Sequence, residues 1–114
     1  MKNPFDKCRV QEYETSNPIR KFKTINVFRR GEESLEILVA EVSPDKWAFG
    51  WFVSLESGEK VSQLPDLANG YATTEINAIL FVAGELKRVQ QRFSEDAKAA
   101  INDTIKKYRT TRLF

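Results

Sequence analysis

A run of alternating aromatic and aliphatic residues occupies the middle of the sequence, from Lys46 to Leu55. It follows Pro44 and Asp45, which favour a turn because proline presets its own φ near the value that a turn requires. In an extended chain successive side chains point to opposite faces, so every second residue of the run shares a face. One face therefore carries Trp47, Phe49, Trp51, Val53 and Leu55. The pattern predicts a β-strand with one face that must be covered.

Burial of this aromatic face is the largest apolar contribution that the sequence offers. Each ring buries about 150–250 Å², which at about 25 cal/mol per Å² is worth several kcal/mol. An aromatic sheet face can also stack nucleic-acid bases, as it does in several single-strand binders. Acidic residues at Glu32, Glu33, Glu36, Glu41 and Asp45 would repel phosphate here. We therefore favour a role in the core over a base-stacking platform.

Three further segments have the composition of strands. Residues 21–30 and 35–42 are rich in β-branched and aromatic residues. Short turns at 31–33 and 44–45 join consecutive segments, as is typical of an antiparallel meander. Residues 60–64 form a shorter fourth segment, which Pro65 ends. We predict about four antiparallel strands within residues 21–64.

Helical spacing of apolar residues begins after this region. From Thr74 to Arg92 they recur every three to four positions, which predicts an amphipathic helix able to cover the aromatic face. Ser94 precedes a second helical pattern over residues 95–109. The predicted core combines the aromatic face with the apolar stripe of the first helix: Trp47, Phe49, Trp51, Val53, Leu55, Ile76, Ile79, Leu80, Ala83 and Leu86.

The chain of 114 residues has the usual size of a single domain. We predict an α+β fold spanning residues 1–114, in which an antiparallel β-meander of about four strands is covered on one face by a C-terminal amphipathic helix, followed by a second helix. Residues 1–20 are interpreted as an N-terminal arm, with a candidate short strand at residues 9–13.

The sequence lacks the residues that most catalytic and metal-binding sites require. The chain has no histidine and a single cysteine, Cys8, so histidine-dependent catalytic triads and zinc-thiolate sites are excluded. No glycine-rich phosphate-binding motif is present. Carboxylate pairs at Glu32 and Glu33, or at Glu36 and Glu41, are the remaining acid/base candidates, and carboxylates at such positions are usually solvated. We predict a non-enzymatic protein without a cofactor or metal.

The sequence also lacks a signal-peptide core in its first twenty residues and any apolar run of membrane-spanning length. We therefore expect a cytoplasmic protein with no membrane association.

Charge is segregated along the chain. Residues 1–30 carry eight basic and three acidic side chains, residues 31–77 carry two and nine, and residues 78–114 carry eight and four. Clustered positive charge is sufficient for contact with a phosphate backbone. The leading hypothesis is a binding module that contacts nucleic acid through its basic ends, by way of Lys21, Lys23, Arg29, Arg30, Lys98, Lys106, Lys107 and Arg109.

The alternative hypothesis is a protein-interaction module or homo-oligomeric subunit, with a homodimer as the simplest case. Alternation places Phe22, Phe28, Leu38 and Phe52 on the second face of the sheet. An apolar face that the N-terminal arm does not fully cover would favour a protein partner.

Overall fold

The computed structural model describes residues 17–112. Most of the predicted N-terminal arm, including its strand at residues 9–13, lies outside the described residues. The described chain contains four strands and then two helices: β1 (Lys23–Arg30), β2 (Glu33–Ser43), β3 (Lys46–Ser54), β4 (Lys60–Gln63), α1 (Glu75–Arg88) and α2 (Glu95–Arg112). Short 3-10 helices at Leu67–Asn69 and Gln90–Arg92 lie before α1 and between the two helices.

The four strands form one antiparallel sheet in the order β1-β2-β3-β4. This order equals the chain order, because each strand is joined to the next by a short connection that can only reach a neighbour. The predicted α+β fold, with an antiparallel meander followed by two helices, is confirmed. The first helix ends at Arg88 rather than at the predicted residue 92, and a separate 3-10 turn follows it.

Both helices pack on the side of the sheet that carries the aromatic face of β3. Helix α1 packs on β2 and β3, whereas α2 packs on β1 and on α1. Phe49 and Val53 are buried beneath this layer, and Trp47, Trp51 and Leu55 are partly buried against the same core. The remaining core residues come from the matching face of β2, from the helices and from the connection between the helices: Leu35, Ile37, Val39, Ala78, Ile79, Val82, Ala83, Leu86, Phe93, Ala97 and Ile101.

Helix α1 begins with a side-chain cap at Thr74, the residue at which the predicted helix starts. The side-chain oxygen of Thr74 accepts a hydrogen bond from the backbone N–H of Asn77 at 3.1 Å, which satisfies one of the free donors of the first turn. The side of α1 that packs on the sheet is centred on Ile79 and Val82. Ile76 and Leu80 are half-buried at its margin, outside the core cluster.

Strand β1 contains an irregularity that the alternation pattern did not predict. Its register against β2 shifts between Asn26 and Phe28, so that Phe28 lies opposite Leu35. Residues directly opposite in an antiparallel pair share a face, and a bulge of this kind moves the following side chains to the other face. The prediction that Phe28 lies on the second face with Phe22 is wrong, because Phe28 packs against the core on the helix side.

Candidate functional site: a basic surface and an apolar groove

Helix α2 lies beside β1 and runs in the opposite direction. Arg30 at the end of β1 forms an ion pair with Asp96 in the first turn of α2. The pKa of Lys23, at the start of β1, is raised mainly by its hydrogen bond to Glu75 and to a smaller extent by Tyr108 near the end of α2. The basic segments that precede and follow the acidic middle of the chain are therefore neighbours in space.

Three of the eight predicted phosphate-contacting residues are held in ion pairs. Lys23 Nζ lies 2.9 Å from Glu75 Oε2, and this hydrogen bond is the main reason that the pKa of Lys23 is raised. Arg30 binds Asp96, which raises the pKa of its guanidinium in the same way. Lys98 Nζ lies 2.8 Å from Glu95 Oε2. The pairs of Lys23 and Arg30 join β1 to the starts of α1 and α2, whereas the pair of Lys98 lies within α2 and joins no other element.

The other five predicted residues are exposed and form no ion pair within residues 17–112. We call them the basic surface: Lys21, Arg29, Lys106, Lys107 and Arg109. The ammonium group of Lys107 lies 5.3 Å from the centre of the Tyr108 ring, within the range of a cation–π contact. This contact is local to α2, since the two residues are adjacent in sequence.

The charge balance of the described segments follows this geometry. Residues 17–30 contain five basic and no acidic residues, and α2 contains five basic and three acidic ones. Residues 31–94, which form the rest of the described chain, contain five basic and ten acidic residues. Positive charge is therefore concentrated along β1 and α2, at one edge of the molecule.

A second candidate site, an apolar groove, lies on the side of α1 away from α2. Because α1 packs on β2 and β3 and α2 packs on β1, the helix-side face of β4 and of the neighbouring part of β3 has little helical cover. The result is an apolar groove of about 410 Å³. Its lining residues, which we use to define it, are Phe49, Trp51, Val53, Leu55, Val61, Asn69, Phe81, Val82, Glu85, Leu86, Arg88, Val89, Arg92 and Phe93.

The groove has an apolar floor and wall and a charged rim. Val61 on β4 and Phe81 on α1 are each about half exposed, at 49% and 50%. The Phe81 ring packs at 4.8 Å from that of Phe49, a separation typical of favourable aromatic pairs. Sequence reasoning missed the groove, and the only signal for it was Phe81, which broadens the apolar stripe of α1 beyond what one sheet contact requires.

The rim of the groove carries two arginines in different environments. Arg88 donates from Nε and from its terminal nitrogen to Glu85 Oε1 at 3.3 and 2.8 Å, and this bonding raises the pKa of Arg88. Arg92 lies 3.8 Å from Glu59 Oε1, near the outer limit of an ion pair, and its side chain is 55% exposed. Arg92 is therefore the less strongly engaged cation of the two.

The glutamates considered as acid/base candidates do not form a catalytic pair in the structure. Glu33 is 1% exposed and accepts hydrogen bonds from the backbone N–H and the hydroxyl of Ser94. Glu32 is exposed at the adjacent turn, and Glu36 and Glu41 lie at separate positions along β2. Glu33 thus anchors the start of α2.

Two kinds of structural feature are absent from residues 17–112, the part of the chain that the structure describes: a metal site and a membrane-spanning helix. Within that range no group of three or more aspartate, glutamate, cysteine or histidine residues is arranged to hold a metal ion. No helix in the same range is long and apolar enough to cross a membrane.

Comparison with known proteins identified no relative: no protein-family model, curated protein or solved structure matches this chain. Function is therefore inferred from the geometry of the basic surface and of the apolar groove.

Proposed function

We propose that the protein is a small non-catalytic binding module that contacts nucleic-acid backbone through the basic surface. The observation that carries this proposal is the antiparallel placement of α2 beside β1. It brings the basic residues of 17–30 next to those of 95–112, although an acidic segment separates them in sequence.

Phosphate contact requires clustered positive charge and no particular donor geometry, so lysine and arginine side chains on a strand edge and a helix face are sufficient. The acidic residues of the segment 31–94 repel phosphate from the rest of the described surface. Binding of this kind is expected to be tolerant of sequence and sensitive to salt, because its free energy comes mainly from counterion release.

The first test replaces three residues of the basic surface with glutamine: Lys106, Lys107 and Arg109. We expect weaker binding to every oligonucleotide tested, by a similar factor for each sequence, because the contacts are to phosphates. The slope of log affinity against log salt is expected to fall by about one for each phosphate-binding side chain removed. Fluorescence anisotropy with single- and double-stranded oligonucleotides, at about 50 and 200 mM salt, measures both quantities.

A matched control removes the same charge from elsewhere on the molecule. Lys46, Lys60 and Lys87 lie on β3, β4 and α1, outside the segments 17–30 and 95–112 that carry the basic surface. Their replacement by glutamine is expected to change the salt slope by less than about one unit in total. An equal reduction for both triple variants would attribute binding to overall net charge. Affinity weaker than about 10⁻⁴ M for the unmodified protein at the lower salt would reject the proposal.

The second candidate function is self-association, with another copy of this chain as the partner. Phe22 and Val42 are 37% and 43% exposed near the ends of the neighbouring strands β1 and β2. Exposed Lys21 and Glu41 lie in the same region, so the patch carries both signs of charge and can pair with itself.

Light scattering tests self-association directly. If a second copy covers this patch, the protein is expected to have twice the mass of the 13.1 kDa chain at micromolar concentration. The double variant Phe22→Ser, Val42→Ser is then expected to be monomeric, whereas Phe81→Ser, which changes the groove instead, is expected to remain dimeric. A monomeric unmodified protein would reject this candidate.

A further inference from the structure

We propose that the apolar groove binds a small amphipathic molecule with an unbranched apolar chain of medium length and a single anionic head group. This site is separate from the basic surface, because no residue of α2 lines the groove. The proposal does not depend on nucleic-acid binding.

The size and lining of the groove favour a small molecule. Its volume of about 410 Å³ lies within the range of about 300–1,000 Å³ that is typical of ligand sites, which are mostly apolar with a few polar groups. From Phe81 to Arg88 the wall formed by α1 is roughly 10 Å long, at about 1.5 Å per residue. This length matches an alkyl chain of medium length lying along the helix.

The apolar chain would contact residues that are now in contact with water. Val61 and Phe81 are each about half exposed, and Trp51 is half-buried in the floor between them and the core. Burial of apolar surface by a ligand is favourable in proportion to the area removed from water. The groove therefore selects for an apolar body in preference to a polar one such as a sugar or a nucleotide.

The rim determines the charge of the head group. Glu85 accepts from two nitrogen atoms of Arg88, whereas Arg92 is separated from Glu59 by 3.8 Å. A carboxylate on the ligand can approach Arg92 and form a shorter, charge-assisted hydrogen bond. The polar side chain at the other end, Asn69, already donates to the carbonyl oxygen of Phe49. We therefore assign the head group to Arg92.

Tryptophan fluorescence provides the readout. The variant Trp47→Phe leaves Trp51 as the sole tryptophan of the chain, so its emission reports on the groove floor. Titration of this variant with decanoate is expected to produce a saturable shift of the emission to shorter wavelength. Decanol, which has the same chain but no charge, is expected to bind about tenfold more weakly, since it lacks a hydrogen bond to a charged partner.

Two groove variants and one control define the site. Arg92→Gln is expected to remove the preference for decanoate over decanol, and Phe81→Ser is expected to weaken both ligands. Arg109→Gln removes an equal charge from α2 and is expected to leave both titrations unchanged. Circular dichroism of each variant establishes that its fold is retained.

Other results would overturn the proposal. An absence of saturable change with either ligand would reject the site. Equal binding of acid and alcohol that is insensitive to Arg92→Gln would reject the anionic head group. A third outcome would assign the groove to a second copy of the chain. In that case the emission shifts with protein concentration alone, and light scattering gives a doubled mass that Phe81→Ser abolishes.

Discussion

Replacement of Gly50 by alanine is expected to lower the free energy of unfolding by about 3 kcal/mol or more, the upper end of the range for overpacked interiors. Gly50 lies in the middle of β3, opposite Leu38, and is buried. A Cβ atom at this position would lie 2.1 Å from the carbonyl oxygen of Gln63 and 2.7 Å from the carbonyl carbon of Leu64. Both are backbone atoms, so no change of side-chain rotamer can relieve the contact.

The clash would act on the end of β4. Gln63 is paired with Trp51, and the chain after it crosses over Gly50 toward Asp66. To accommodate a methyl group the crossing segment must move away, which would weaken the last pair of the β3–β4 ladder. A fall in the melting temperature on the order of 15 °C is expected for a domain of this size, measured by circular dichroism or calorimetry.

Gly84→Ala is the matched control for this prediction. Gly84 is exposed within α1, and a Cβ atom there would have no neighbour within 4 Å. Alanine is favoured over glycine in a helix by about 0.8–1.0 kcal/mol, so this variant is expected to be more stable than the unmodified protein. Unchanged or increased stability of Gly50→Ala would contradict the close crossing of the segment after β4.

Local pattern was sufficient to predict most of the architecture. The alternation from Trp47 to Leu55 identified the central strand and the face on which the helices pack, because a face of large apolar side chains needs an apolar layer against it: Phe49 and Val53 are buried there, and Trp47, Trp51 and Leu55 are partly buried. The same reasoning failed at β1. A bulge there adds one residue between Asn26 and Phe28 without glycine or proline to indicate it, so strict alternation assigned Phe28 to the wrong face.

Features that depend on how the helices and strands are placed relative to one another could not be predicted from the sequence. The basic residues could be identified individually, but their proximity follows from α2 lying antiparallel to β1. The groove arises because α1 packs over β2 and β3 rather than over β4. The crossing above Gly50 is a contact between segments that are distant in sequence, and a glycine in a strand indicates only that some backbone approaches closely.

Glu33 is the second residue at which we expect a large effect. Its side chain is 1% exposed, and its two oxygen atoms accept hydrogen bonds from the backbone N–H of Ser94 at 2.9 Å and from the Ser94 hydroxyl at 2.5 Å. The same hydroxyl oxygen accepts from the backbone N–H of Ala97 at 3.2 Å, which caps α2. Glu33 therefore joins the start of β2 to the start of α2.

Glu33→Ala is expected to reduce the free energy of unfolding by about 2–3 kcal/mol. The substitution leaves two partly buried donors of Ser94 without their acceptor, and each unsatisfied donor costs about 1–3 kcal/mol, less where water can reach it. It also removes a negative charge near the N-terminus of α2, where such charge stabilises the helix by about 0.3–1 kcal/mol. Urea denaturation followed by tryptophan fluorescence measures the change.

Two further substitutions distinguish the loss of the Glu33–Ser94 contact from a general effect of removing a charge. Glu32→Ala removes a neighbouring exposed carboxylate and is expected to change stability by less than about 0.5 kcal/mol. Ser94→Ala is expected to cost about 1 kcal/mol or more by itself, and less when Glu33 is already alanine, because the contact between the Ser94 hydroxyl and Glu33 is then already lost while the cap to Ala97 remains. Additive effects of the two substitutions would show that Glu33 and Ser94 stabilise the protein independently, and would remove the link between β2 and α2.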